Sequence, residues 1–128
     1  MSRLEYILQR FRNNRGFKIN DFPEGTKVSV NTTNSLYELV VLDEQYVSIF
    51  GGIKKDGSTR FPKPTKAIVF GATLGGSIIR LNWIVYSMQM EIRIEEGENH
   101  GHTIVTSAVK NAIIESKDKS WRQSIDWE

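Results

Sequence analysis

Short segments in which every second residue is apolar recur between residues 27 and 114, and this period of two is what most restricts the fold. MQMEIRIE shows it most cleanly: Met88, Met90, Ile92 and Ile94 alternate with Gln89, Glu91, Arg93 and Glu95. Successive side chains of a strand point to opposite faces, so such a segment puts one face in a core and the other in water. KVSVNTT and SLYELVVLD, joined by the turn-like TTNS, predict a hairpin over 27–43, and QYVSIF predicts a third strand ending at Gly51-Gly52. AIVF is a short strand. SIIRLNWIVY reads as a single strand with Ile79, Leu81, Trp83 and Val85 on one face, and TIVT as another. SAVKNAIIES suits a helix capped by Ser107 on its Val109, Ala112 and Ile113 spacing, but its whole apolar set also suits a strand, the expectation adopted.

The result is about seven or eight short strands at intervals of roughly 8 to 12 residues, with no internal repeat, which predicts a mainly β chain forming an antiparallel sandwich or barrel. A chain of 128 residues fits one domain. Its expected parts are an N-terminal helix over 1–15, a β body over 26–114 and a tail over 115–128. The helix follows from Leu4, Ile7, Leu8 and Phe11, which share one stripe behind Ser2 as N-cap and Glu5 three residues on. FKINDFPEG reads as a connecting loop.

Cysteine is absent, which removes disulfides, thiolate metal sites and thiol nucleophiles, and fits a reducing compartment. No apolar run approaches the roughly 18 residues of a membrane span, and the arginine-bearing N-terminus lacks a signal-peptide pattern, so a cytoplasmic protein is expected. The net charge is +2, with Arg3, Arg10, Arg12, Arg15 and Lys18 set against Glu5 at the N-terminus.

Three groups of residues could carry function. FGATLGGSIIR holds Thr73, Gly75, Gly76, Ser77 and Arg80, a candidate small-molecule site. A phosphate loop needs glycines opening a helix and a following lysine, and neither pattern is met, so a bend or bulge between strands is the preferred reading. The segment 53–66, IKKDGSTRFPKPTK, reads as a long irregular basic loop because Gly57, Pro62 and Pro64 interrupt it. Its Lys54, Lys55, Arg60, Lys63 and Lys66 around Phe61 form a candidate single-stranded nucleic-acid surface, phosphates meeting the cations and a base stacking on the ring. Trp121, Ile125 and Trp127 in the tail form a candidate interaction surface. Their apolar area needs a cover, and an irregular docked tail is expected, against the body or in a homodimer that also covers the helix stripe.

His100 and His102 in NHGHT have no distant third ligand and read as a solvated loop, so neither a metal nor a cofactor is expected. No GxSxG or cysteine–histidine arrangement is present, and Asp43-Glu44 and Glu95-Glu96 fall at turns and strand ends. Thr32-Thr33-Asn34-Ser35-Leu36-Tyr37, Gly51-Gly52 and Gly71-Ala72-Thr73-Leu74-Gly75-Gly76-Ser77 give the patterns TxNSxY, a paired glycine and GxTxGGS. In these the chain resembles a group of small uncharacterised bacterial proteins over roughly residues 28 to 114. That resemblance implies a shared β fold and brings no known activity. The expected function is therefore a non-enzymatic binding or assembly module, with nucleic-acid binding through 53–66 and the helix, or a site near Thr73, Ser77 and Arg80, as alternatives.

Overall fold

The computed structural model describes residues 15–75 and 77–126. Apart from Arg15, the helix expected over 1–15 lies outside the described residues, as do Gly76 and Trp127. The strands are β1 (Gly16–Lys18), β2 (Lys27–Thr32), β3 (Leu36–Val41), β4 (Val47–Ile53), β5 (Thr59–Leu74), β6 (Ser77–Leu81), β7 (Trp83–Val85), β8 (Gln89–Ile94), β9 (Thr103–Glu115) and β10 (Arg122–Asp126).

Antiparallel pairing runs β2-β3-β4-β5-β8-β9, and β9 pairs with β2 again, so these six strands close a barrel. Closure removes the unpaired edges that an open sheet would present. Two long strands make it possible. β5 pairs with β4 along its first half and with β8 along its second, while β9 pairs with β8 through Thr103–Ala108 and with β2 through Val109–Glu115. The alternation of β2, β3, β4 and β8 supplies the core: Val28, Val30, Leu39, Val41, Val47, Ile49, Met90 and Ile92 are all buried.

Residues 16–22 are not a plain connection. β1 pairs with β7, a 3-10 turn follows at Ile19–Asp21, and Phe17, Ile19 and Phe22 enter the main core, with the two phenylalanine rings edge to face at 5.8 Å. Their spacing has no strand or helix period, so burial rather than pattern marks them. The Asn20 side-chain amide donates to the carbonyls of Asp43 and Tyr46, fixing this turn at the end of the barrel that holds the β3–β4 connection.

Four further expectations are corrected. Segment 53–66 is not irregular, because residues 59–66 are the first half of β5 and only 54–58 form a turn. Pro62 and Pro64 are tolerated because the register slips there: Ile49 faces Thr65 and Gly51 faces Phe61, which leaves Pro62-Lys63-Pro64 in a bulge where the ladder is interrupted. SIIRLNWIVY is two strands, since Asn82 takes a φ of 64° and breaks the alternation, so that Leu81 is 68 % exposed while Trp83 is buried. Among the described residues of the tail, Arg122–Asp126 form β10 against Asn111–Glu115 of β9, and Trp121 and Ile125 pack on the core of their own chain. The expected TIVT and SAVKNAIIES strands are one continuous β9.

Candidate binding surface at the far end of the barrel

Strand alternation puts the β2–β3, β4–β5 and β8–β9 connections together, at the end of the barrel opposite the 3-10 turn. Two recesses lie there. The larger, about 810 Å³, runs between the first half of β5 and the loop after β8, with Lys54, Arg60 and Lys63 on one side and Glu96, Glu98 and His102 on the other. The acidic wall is tied to β5 through its backbone: Lys66 N–H donates to Glu96 Oε1 at 2.7 Å, and Glu95 N–H donates to the Lys66 carbonyl at 2.9 Å. Glu95 also lies 3.5 Å from Arg93 and 3.4 Å from His100 Nε2, so His100 meets a carboxylate. Among the described residues no group of three or more His, Asp or Glu could hold a metal ion.

The smaller recess, about 300 Å³, adjoins the first and shares Lys54 and Arg60 with it, adding Lys55, Asn34, Ser35 and Ser107. A hydroxyl network builds its floor. Ser107 Oγ donates to Thr32 Oγ1 at 2.8 Å and accepts from Asn34 N–H, while Ser35 N–H donates to Thr32 Oγ1. Ser35 Oγ in turn accepts from Ile53 N–H at 2.9 Å, joining the β2–β3 turn to the end of β4. Thr32 and Ser35 are buried, so these bonds replace water that the groups have lost.

The paired glycine belongs to the same construction. Gly52 has a φ of 78°, and a Cβ there would run into the Tyr37 ring. Glycine thus allows both the backbone turn and the close approach of the aromatic ring. TxNSxY and Gly51-Gly52, distant in sequence, together shape this wall.

Of the basic residues grouped by sequence, Lys54, Lys55, Arg60 and Lys63 gather at this end. Lys66 does not, since its ammonium lies 4.1 Å above the Tyr46 ring. Phe61 is only 4 % exposed and belongs to the core, which corrects its reading as an exposed stacking platform. Burial in the barrel competes with stacking and takes the ring.

The glycine stretch joins two antiparallel strands: Leu74 pairs with Ser77, and the register slips between Ala72 and Thr73. Gly75 has a φ of 60°. Thr73 Oγ1 donates to the Ser77 carbonyl at 2.9 Å and the Arg80 guanidinium lies 3.7 Å from the Trp83 ring centre, so these side chains brace the hairpin. Trp121 lines a separate cleft of about 330 Å³ with Pro23, Thr26 and Lys117. There Trp121 N–H donates to Ser116 Oγ and Ser116 N–H to the Trp121 carbonyl.

The signal for this site was present in part. Sequence marked the cations, and Thr32 and Ser35 meet within the β2–β3 turn, but Ser107 joins them only through the pairing of β2 with β9. No protein-family model, curated protein or solved structure matches this chain. Among the described residues, no helix is long and apolar enough to cross a membrane.

Proposed function

We propose that the protein is a non-enzymatic binding module whose ligand surface is the larger groove at the far end of the barrel. One observation carries this reading: Lys54, Arg60 and Lys63 face Glu96 and Glu98 across one recess. Walls of opposite charge favour a ligand that carries both signs, such as an extended, mixed-charge protein segment, and repel ligands of a single sign from one wall or the other. Nucleic acid is the second reading, favoured by the clustering of the same cations. Without Phe61 as a platform it would rest on phosphate contacts alone, next to carboxylates that oppose it.

Titration with a peptide of alternating Lys and Glu, a poly-Glu peptide and a single-stranded oligonucleotide separates the readings. The mixed-charge peptide is expected to bind best, and Glu96→Gln with Glu98→Gln is expected to weaken it while strengthening the other two. An oligonucleotide that binds more tightly than either peptide overturns the proposal. Self-association through segment 1–14 and Trp127 is the assembly form of this proposal. Light scattering of the full chain against a chain lacking residues 1–14 tests it, with an unchanged monomer mass in both removing it.

A further inference from the structure

The smaller recess differs from the groove in its charge. Among the described residues, its lining includes Lys54, Lys55 and Arg60 and no carboxylate. Asp56, in the β4–β5 turn, feels the charge of Lys54, but its Oδ1 already accepts from both Ser58 N–H and Ser58 Oγ. Arg60 is half-buried and makes none of the chain's ion pairs among the described residues, and its Nε is buried with no hydrogen-bond partner there. A guanidinium carries only donors, so only an acceptor brought by another group can satisfy that N–H.

Ser35 adds a second, independent observation. It is 8 % exposed and lines the recess, and its oxygen accepts from Ile53 N–H, yet its own proton has no acceptor among the described residues. The Asn34 side-chain amide, on the same rim, offers two more donors. Three cations, a buried hydroxyl with a proton to give and an amide, on a recess that none of the described carboxylates lines, form a donor set for a compact oxyanion, although Lys54 and Arg60 also face Glu96 and Glu98 across the adjoining groove. We infer that this recess is a phosphate-binding site, sized for the phosphate of a small monoester rather than for a polymer. Arg60 and Lys55 would hold the charge and Ser35 would donate to a phosphate oxygen. Charge-assisted donors of this kind are the strongest phosphate contacts a protein makes. The inference does not rest on the groove taking a peptide, although the two recesses share Lys54 and Arg60.

Calorimetric titration of the full chain at low ionic strength tests it, using inorganic phosphate, glycerol 3-phosphate and a single-stranded oligonucleotide without a terminal phosphate. Saturable binding of the first two is expected, with at least a tenfold loss in Arg60→Gln and a several-fold loss in Lys55→Ala and in Ser35→Ala. Lys63→Ala, which alters only the larger groove, is expected to leave phosphate affinity unchanged. Arg60→Gln could disturb the fold, but Lys55 is exposed, so Lys55→Ala keeps the test valid in a folded chain. Absence of saturable phosphate binding, or wild-type affinity in Lys55→Ala, overturns the inference. So does an equal loss in Lys63→Ala, which would mean diffuse charge, or tighter binding of the oligonucleotide than of glycerol 3-phosphate, which would mean a polymer backbone. Loss of peptide binding in the groove with phosphate binding intact would refute the proposed function and leave this site standing.

Discussion

The two halves of β5 are one continuous strand built on different grounds. Residues 67–74 bury Ala67, Val69, Ala72 and Thr73, and pair with β8 on one edge and β6 on the other near the end. Residues 59–66 bury only Phe61, contain Arg60, Lys63, Lys66 and both prolines of the bulge, and pair with β4 alone. The second half is a strand because its own pattern requires burial. The first is a strand because β4, Phe61 and the β4–β5 turn hold it there, and it is this half that carries cations to the binding surface. A strand segment held in the barrel wall by its partner can therefore display residues of poor strand propensity.

Mutations can break this contrast. Phe61→Ala should produce the largest effect, a loss of about 3 to 5 kcal/mol in denaturant unfolding, comparable with or above the roughly 2 kcal/mol expected for Val69→Ala in the other half. A loss below about 1 kcal/mol would place Phe61 outside the core and return the first half to a loop. Gly52→Ala should come next, at about 2 kcal/mol or more, because the added methyl meets the Tyr37 ring and the residue is held at positive φ. It should also weaken phosphate binding, since Tyr37 and Ser35 line one recess.

Turn chemistry at the two ends of β5 sharpens the comparison at smaller magnitudes. Gly75→Ala should cost about 1 kcal/mol, since the site is open in space and only the backbone angle resists a side chain. Pro62→Ala and Pro64→Ala should each change stability by less than about 0.5 kcal/mol, as both lie exposed in the bulge. A larger loss would mean that the prolines stiffen the cationic half.

The smallest effect is one of pH. Hydrogen bonds from the Ser58 hydroxyl and then the Ser58 N–H hold the Asp56 carboxyl below its usual range, outweighing the opposing effect of desolvation. A carboxylate with a depressed folded pKa contributes stability above its unfolded value, and that contribution is lost as pH falls through the depressed one. Melting temperature should therefore decline on acidification below the ordinary carboxylate range, and Asp56→Asn should flatten part of that decline while Gly75→Ala leaves its shape unchanged.

Much of this fold was legible in the residues themselves. Alternation in 27–41, 47–50 and 88–94 is a local consequence of strand geometry, so β2, β3, most of β4 and β8 follow from it directly. The glycines between Leu74 and Ser77 announced a turn for the same local reason. Other elements were decided by contacts between distant segments. Pattern alone could not separate a sandwich from a barrel, because closure depends on β9 meeting β2 along one half and β8 along the other. Nor could it place Phe61 inside, since its neighbours are charged or proline and only the pairing with Gly51 aims its ring at the core. Trp121 and Ile125 needed a cover on composition alone, and β9 supplies it by pairing with β10. The candidate phosphate site has the same origin. Sequence determined that cations and hydroxyls exist in short, separate segments, whereas their convergence is set by the backbone pairing of β2 with β9, which brings the Ser107 and Thr32 hydroxyls, 75 residues apart, into a side-chain hydrogen bond that no local pattern encodes.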